Sequence, residues 1–395
     1  MFVAEDMYKL GSQRSAIREL FEYGKQRAAV VGAENVYDFS LGNPTVPAPD
    51  CVNETIRDLT HKLDSITLHG YTSAQGDIET RQAIADYLNK TYGTEFAADN
   101  FYLTMGAAAS LSVCFRALTT SPEDEFITIA PFFPEYRVFV EANGAKLVVV
   151  PPHTSDFQID FEALEKAISV HTRGVIINSP NNPSGAVYSR ETIQKLAALL
   201  TKKSEENGTP IFILADEPYR EIAYDGVEVP YVTKYYANTL VCYSYSKSLS
   251  LPGERIGYLA VHPDCIEADK IIEICPQISR TIGQNGAASL MQRTVADVCN
   301  YTSDLSVYET NKKILFEALK EYGYHCVEPG GTFYMFPRSL ESDSQAFCKK
   351  AMEKDLMLVP GDIFGCPGHF RIAYCVPTER VEKALPIFQE LAEEY

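Results

Sequence analysis

The 395-residue sequence lacks several patterns that mark whole classes of protein. Its ten cysteines form no Cys-x-x-Cys pair, and its seven histidines show neither His-x-x-x-His nor His-Glu-x-x-His spacing. We therefore expect reduced, mostly packed thiols and no metal site. The sequence also has no run of 18 apolar residues, and its first residues include acidic side chains instead of an apolar signal-peptide core. These absences predict a cytoplasmic protein that does not enter a membrane.

Positively charged residues are also fewer than negatively charged ones, 35 against 53, which disfavours negatively charged partners. The formal net charge is -18, so a surface that binds nucleic acid or an anionic membrane is disfavoured by electrostatic repulsion. Hydrophobic residues make up 46% and charged residues 22%, without a low-complexity tract, which is typical of a folded protein. The length favours two domains over one.

Short apolar runs alternate with helical stretches between about Asn100 and Tyr258. Several runs lack polar alternation, which indicates a covered, mostly parallel sheet and hence a large α/β domain flanked by helices. The clearest runs are 126–130, 146–150, 175–177, 211–215 and 240–243, with a helical stretch at 191–203. Ligands of such sheets bind at the carboxyl ends of the strands, so the residues after each run are candidate site residues.

The pattern changes after about Gln284 to long helical stretches and the alternating segments 331–336 and 370–374. This change predicts a smaller α+β domain. A helix is also predicted around Ser15 to Arg27, before the turn Gly42 to Pro44. We assign residues 1–45 and 284–395 to the small domain, and 46–283 to the large one.

The segment Ser244 to Gly257 follows directly on an apolar strand and carries a lysine among hydroxyl groups. Lys247 could form an imine with a carbonyl cofactor, while Ser244 and Arg255 could bind a phosphate. Taken alone, the string is equally compatible with an exposed loop lysine.

Two further strands end in side chains suited to a pyridine-ring cofactor such as pyridoxal 5′-phosphate (PLP). Asp216 could keep the ring nitrogen protonated, and Tyr219 could donate to the phenolic oxygen. Asn182, in a turn-forming string, could share that oxygen with Tyr219. The alternatives are a helix N-cap for Asp216 and a simple Asn-Pro turn for Asn182.

Two weaker candidates lie upstream in the chain. Gly106, Ala107 and Ala108 open a predicted helix whose free N–H groups could bind a phosphate. Phe133 follows another strand and could stack on a pyridine face, although core packing is an equally good interpretation.

With these positions assembled, the chain resembles the class I/II aminotransferases, which are PLP enzymes of fold type I, over nearly its whole length. The family's N-P-x-G element appears at 182–185, its D-x-x-Y element at 216–219, and its S-x-S-K-x-x-x-x-P/A-G-x-R-x-G element at 244–257. The resemblance implies a mostly parallel sheet of the seven-stranded type. It also implies PLP bound to Lys247 as a Schiff base, with Ser246 among the cofactor contacts.

The resemblance further implies a homodimer and a substrate site. Tyr71 would reach the cofactor phosphate of a neighbouring subunit. Arg371 would bind the substrate α-carboxylate as a bidentate fork, with the Gly42 backbone close by; a surface arginine is the alternative.

The sequence departs from the family at two positions. Some bacterial aspartate aminotransferases carry a lysine for the distal carboxylate where this chain has Ala108, which puts aspartate specificity by that route in doubt. Family members also commonly have Tyr or Trp at the stacking position, so Phe132 competes with Phe133 for that role.

The resulting hypothesis is a ping-pong transaminase acting on an amino acid and a 2-oxo acid. Lys247 would be both anchor and base, moving the proton from Cα to the cofactor's C4′ while Asp216 stabilises the electron-rich ring. A carbon–sulfur β-lyase on the same fold is the nearest alternative. A PLP-binding regulator is disfavoured because there is no room before Gly42 for a DNA-binding module. The amino donor and acceptor stay open, because side-chain pockets in this fold are built from scattered residues.

Overall fold

The computed structural model describes residues 2–3, 5–12 and 16–395. None of the helices described there is long and apolar enough to span a bilayer. The predicted N-terminal helix begins at Ala16 and continues to Val31, past the expected end at Arg27, while Ser15 lies outside the described residues.

The helices are, in chain order, α1 (Glu5–Ser12), α2 (Ala16–Val31), α3 (Asp50–Lys62), α4 (Ser65–His69), α5 (Ile78–Tyr92), α6 (Ala107–Leu118), α7 (Glu135–Ala142), α8 (Phe161–Ala167), α9 (Arg190–Asn207), α10 (Tyr245–Ser248), α11 (Ala268–Thr281), α12 (Ser289–Val298), α13 (Ser306–Glu321), α14 (Ser344–Glu353) and α15 (Thr378–Ala392). The strands are β1 (Tyr37–Asp38), β2 (Phe101–Thr104), β3 (Glu125–Ile129), β4 (Lys146–Val150), β5 (Thr172–Asn178), β6 (Phe212–Asp216), β7 (Thr239–Ser244), β8 (Gly257–Val261), β9 (Tyr334–Met335), β10 (Leu356–Met357), β11 (Val359–Pro360) and β12 (Phe370–Ala373).

The large domain is built on a seven-stranded sheet with the order β2-β8-β7-β6-β5-β3-β4. Strand β8 runs antiparallel to both of its neighbours, and the other pairs are parallel. Val175, Ile176 and Ile177 of β5 are each at most 2% exposed, because helices cover both faces. Burial of such side chains stabilises the fold by about 1.5–3 kcal/mol each. The predicted mostly parallel α/β sheet is therefore confirmed, and each apolar run named above overlaps one of its strands to within one residue.

The ends of three parallel strands define one edge of this sheet. Asn178, the last residue of β5, is in register with Asp216, the last residue of β6, and Asp216 is in register with Cys242 of β7. Strand β7 then runs on to Ser244, directly before α10. The candidate motifs thus follow strands that end side by side.

The smaller α+β part of the molecule combines α13 to α15 with short strands. Strands β11, β12 and β9 form an antiparallel sheet, and β1 pairs in parallel with β10, so the N-terminal segment joins the C-terminal part of the chain. Phe39 is buried with Leu315 and Phe388 of the C-terminal helices.

Helix α12 packs with the large domain, although it follows residue 284. Its Met291, Val295 and Val298 lie in the same hydrophobic cluster as Ile84 of α5 and Val175 of the central sheet. We therefore propose a domain boundary between α12 and α13, in place of the boundary expected at 284. The hydrophobic stripe of α12 marks it as a helix but does not say which core it joins.

Candidate active site

A cavity of about 330 Å³ lies at the carboxyl edge of the large sheet, between that edge, the small domain and α2. Most of the residues singled out from the sequence line it, together with several that were not. The lining comprises Ile17, Arg18, Leu41, Gly42, Ala107, Ala108, Leu111, Phe133, Glu135, Phe139, Asn178, Asn182, Asp216, Pro218, Tyr219, Ser244, Ser246, Lys247, Pro252, Arg255, Tyr334 and Arg371.

Lys247 lies in the short helix α10 and extends its amine into this cavity. Nζ donates a hydrogen bond to the Gly42 carbonyl oxygen at 2.7 Å. Burial lowers the pKa of Lys247 from its ordinary value to about 8, and the positive charges of Arg371 and Arg255 act in the same direction. An amine with such a pKa loses its proton close to neutral pH, which makes it a nucleophile and a base.

Asp216 is buried at the end of β6 and has one unpaired oxygen. Its Oδ2 accepts a hydrogen bond from the Tyr136 hydroxyl at 2.6 Å, whereas Oδ1 has no partner in the described part of the chain. Burial raises the pKa of Asp216 to about 7, and the Tyr136 hydrogen bond opposes this rise. The chain after Asp216 forms a turn and not a helix, so the N-cap alternative is wrong. A buried oxygen without a partner suits a cationic ligand group.

Asn182 and Tyr219 lie in the same cavity. The Asn182 N–H donates to Asn178 Oδ1 at 2.7 Å, and Asn178 Nδ2 donates to the Asp216 carbonyl oxygen at 2.8 Å. Asn178 therefore fixes the loop of Asn182 relative to Asp216. The Tyr219 hydroxyl is 3.2 Å from that of Tyr334, and burial keeps its pKa well above the ordinary value, so it stays a neutral donor.

A small-residue helix start and an arginine form one end of the cavity. Gly106 precedes α6 with φ +94, and a Cβ there would lie 2.9 Å from Arg255 Nη2 and 3.4 Å from Ser244 Oγ. The first N–H groups of α6 have no intrahelical acceptor. The Ser244 and Ser246 hydroxyls are 2.7 Å apart, and Arg255 Nη2 donates to the Met105 carbonyl oxygen at 2.9 Å. Together these donors offer an anion site that a side chain at 106 would obstruct.

The two phenylalanines that competed for the stacking position have different surroundings. Phe133 lines the cavity, and its ring meets that of Tyr136 edge-on at 5.7 Å. Phe132 is absent from the lining and is so close to Gly365 that a Cβ there would meet its ring at 2.9 Å. This geometry favours Phe133.

Arg371 is buried, so the surface alternative is wrong. Its Nη1 donates to Asn182 Oδ1 at 3.0 Å, its Nη2 donates to the Ser40 carbonyl oxygen at 2.5 Å, and Nε has no partner in the described residues. The guanidinium lies over the ring of Tyr334, 4.6 Å from its centroid. These contacts hold the Arg371 guanidinium at the cavity wall and leave its Nε–H available to donate to a ligand.

Sequence reasoning missed three residues that shape the site: Asn178, Tyr334 and Tyr136. Asn178 could have been found, because it directly follows the apolar run of β5. Tyr334 lies in the alternating segment 331–336, and its hydroxyl occupies the space that a Gly42 side chain would need. Tyr136 has no sequence signal beyond its place three positions after Phe133.

Two charged side chains at the cavity mouth were also not predicted. Arg18 of α2 and Glu135 of α7 both line the cavity. Among the described residues, Arg18 has neither a hydrogen bond nor an ion pair. Tyr71 is fully exposed and does not line the cavity of its own chain.

Comparisons with known proteins cover nearly the entire chain. A family model described as aminotransferase class I and II matches residues 33–388. The chain is 61% identical to a crystallised aminotransferase from Eubacterium rectale, with a TM-score of 0.98 over 100% of this chain and 99% of that one. It is 30% identical to an aspartate aminotransferase of Thermotoga maritima, over 91% of this chain and 92% of that protein. It is also 28% identical to the aromatic-amino-acid aminotransferase 2 of Thermococcus litoralis, with 96% of each covered.

Proposed function

The chain belongs to the class I and II aminotransferases, and we propose that it moves an amino group between an amino acid and a 2-oxo acid in a ping-pong reaction, with PLP bound to Lys247 as a Schiff base. The observation that carries this proposal is the meeting of two groups in one cavity. These are the Lys247 amine and the unpaired oxygen of Asp216.

The residues of the cavity fit PLP. Asp216 Oδ1 would pair with the protonated ring nitrogen, and Tyr219 and Asn182 would contact the phenolic oxygen. Phe133 would lie against the ring. The phosphate would bind the donors of Gly106, Ala107, Ala108, Ser244, Ser246 and Arg255. When bound, PLP supplies an electron-withdrawing ring that stabilises negative charge at the substrate Cα.

Lys247 has the properties required for moving a proton. Because burial lowers its pKa from 10.5 to about 8, a much larger share of Nζ is the free amine near neutral pH than in an exposed lysine. In the proposed reaction Nζ takes the proton from the substrate Cα and later returns a proton. The Gly42 carbonyl oxygen, which accepts from Nζ at 2.7 Å, limits where the amine can lie.

Arg371 would bind the α-carboxylate of the substrate. Its Nε has no partner, and its contacts with Asn182 and Ser40 fix the plane of the guanidinium. A planar guanidinium held in this way can donate two parallel hydrogen bonds to a carboxylate. This contact would orient the amino acid so that its Cα proton faces Lys247.

We propose an acidic amino acid as one substrate, because several similar proteins are named aspartate aminotransferase. Ala108 supplies no cation for a distal carboxylate. Arg18 is a cation of the lining that has no other partner among the described residues, and we assign it that role. The attraction would be modest because Arg18 is exposed and screened by water.

We further propose a homodimer in which Tyr71 completes the neighbouring cavity. The exposed ring of Tyr71, together with Ile66 at 85% and Ile78 at 53% exposure, is the kind of apolar surface that a second copy could cover. A cytoplasmic location is proposed as well, since all ten cysteines are free thiols.

The reaction can be tested with purified protein supplied with PLP. Formation of a 2-oxo acid from a single amino acid should depend on an added 2-oxo acid acceptor, and double-reciprocal plots at several acceptor concentrations should be parallel. Release of pyruvate and ammonia from a cysteine conjugate without any acceptor would favour the β-lyase alternative. No absorption band after PLP addition would overturn the cofactor assignment.

A further inference from the structure

Tyr136 is a buried tyrosine of α7 that touches two of the proposed cofactor contacts. Its hydroxyl donates to Asp216 Oδ2 at 2.6 Å, and its ring meets Phe133 edge-on at 5.7 Å with an interplanar angle of 85°. The residue is 1% exposed. It therefore connects the residue proposed for the ring nitrogen with the residue proposed for the ring face.

The hydrogen bond makes the two oxygens of Asp216 unequal. Oδ2 is occupied by Tyr136, and Oδ1 has no partner among the described residues. Without the hydroxyl, both oxygens would lack a partner, and the carboxyl could rotate about its Cβ–Cγ bond. A hydrogen bond to a carboxylate also favours the ionised form, which is the form that pairs with a cation.

We propose that Tyr136 is a positioning residue for the cofactor: its hydroxyl holds Asp216 ionised and oriented, so that Oδ1 is presented to the ring nitrogen of PLP. This inference rests on the proposed function. Tyr136 itself touches neither the substrate nor the cofactor nitrogen. Its effect on both passes through Asp216.

A purely structural role can be separated from this one with a matched control. Tyr236 is also buried, and its hydroxyl donates to the Ile211 carbonyl oxygen, again at 2.6 Å. Ile211 lies directly before β6, at the strand end opposite to Asp216. Tyr136→Phe and Tyr236→Phe therefore each remove one buried hydroxyl of equal hydrogen-bond length, but only the first removes it from the site.

The experiment is a titration of apoprotein with PLP for wild type, both Phe variants, Asp216→Ala and Asp216→Ala/Tyr136→Phe. Loss of a hydrogen bond to a charged group should weaken PLP binding about tenfold in Tyr136→Phe, and by less than about twofold in Tyr236→Phe. Because the effect passes through Asp216, Tyr136→Phe should change the dissociation constant by less than about twofold in the Asp216→Ala background. Steady-state kinetics of Tyr136→Phe should show a lower kcat with an unchanged KM for the amino donor, since Arg371 keeps its contacts.

The outcomes distinguish this inference from the proposed function. Equal dissociation constants for the two Phe variants, or a Tyr136→Phe effect of the same size with and without Asp216, would overturn the role of Tyr136. Wild-type protein that binds no PLP would instead overturn the proposed function, and the inference with it. Thermal unfolding of each apoprotein shows whether every variant is folded.

Discussion

Two adjacent carboxylates, Asp216 and Glu217, lie in contrasting surroundings at the end of the same strand. Both are buried, burial raises the pKa of each to about 7, and each leaves one oxygen without a partner in the described chain. The Glu217 carboxyl accepts from Arg220 Nη1 at 3.0 Å, whereas the Asp216 carboxyl accepts from the neutral Tyr136 hydroxyl. The protein thus supplies a cation for one carboxylate, and a ligand would supply it for the other.

The surroundings of Glu217 form a closed charged cluster. Arg220 also donates to Glu221 and to the Tyr258 hydroxyl, both at 3.1 Å. Its guanidinium lies 4.4 Å from the ring centroid of Tyr243. Every charge of the cluster has an opposite charge beside it, and no residue of the cluster lines the cavity. The cluster is therefore structural, and the lack of a cation beside the Asp216 carboxyl marks the functional side.

The largest expected effect is a loss of turnover when Lys247 of the cavity is replaced. Lys247→Ala should reduce kcat by at least about a thousandfold, because both the proposed covalent anchor and the proposed base are lost. Steady-state transamination assays would measure it, with Lys195→Ala on the exposed face of α9 as the control. Near-normal turnover in Lys247→Ala would contradict the mechanism.

In the charged cluster around Glu217, the expected effect is on the stability of the fold. Arg220→Met should lower the free energy of unfolding of the apoprotein by about 3–5 kcal/mol, because it removes the cation from the buried Glu217 and the half-buried Glu221. The measurement is urea unfolding. Arg190→Met, which breaks an exposed pair with Glu228, is the control and should cost less than about 1 kcal/mol. Equal losses in the two variants would remove the distinction between a buried cluster and a surface pair.

A smaller effect of opposite sign is expected for Asp216→Asn. Because the pKa of Asp216 is raised from 3.8 to about 7 in the folded apoprotein, its stabilising contribution is present below about pH 4 and is lost as the pH rises through about 7. At pH 8 the wild type carries a buried charge without a cation, so Asp216→Asn should stabilise the apoprotein by about 1–3 kcal/mol. Urea unfolding should show about half of that gain at pH 5.5, which lies midway through the range over which the contribution is lost. A gain that does not depend on pH would show that ionisation is not its cause.

The cavity residues differ in how far they could be predicted from the sequence. Lys247, Asp216 and Asn182 each belong to a short motif at the carboxyl end of a buried strand. Apolar runs locate these strands, and the ends of parallel strands meet at one edge of the sheet, so the sequence is sufficient to predict that the three residues lie together. Tyr136 and Asp216 are 80 positions apart. Their contact depends on how α7 packs against the sheet, which no local pattern encodes.

The domain assignment shows the same dependence on packing. The apolar stripe of α12 predicts a helix with one buried face. Two cores were available to it, and the helix joins the core of Ile84 and Val175. Periodicity determines which residues of a helix are buried, whereas the choice of core depends on the complementary surfaces that the chain brings together.

The smallest expected effect concerns the cavity mouth, where Arg18 is the proposed counterpart of a distal carboxylate. Arg18→Ala should raise KM for aspartate by up to about fivefold, the upper range for an exposed ion pair, and leave KM for alanine unchanged. Lys25→Ala, on the same helix but outside the cavity lining, is the matched control. Because exposed charges are screened, the difference between aspartate and alanine should shrink as salt is added. Equal changes in KM for aspartate and alanine would show that Arg18 does not bind the side chain of the substrate. The preference for one amino acid would then depend on other residues of the cavity lining.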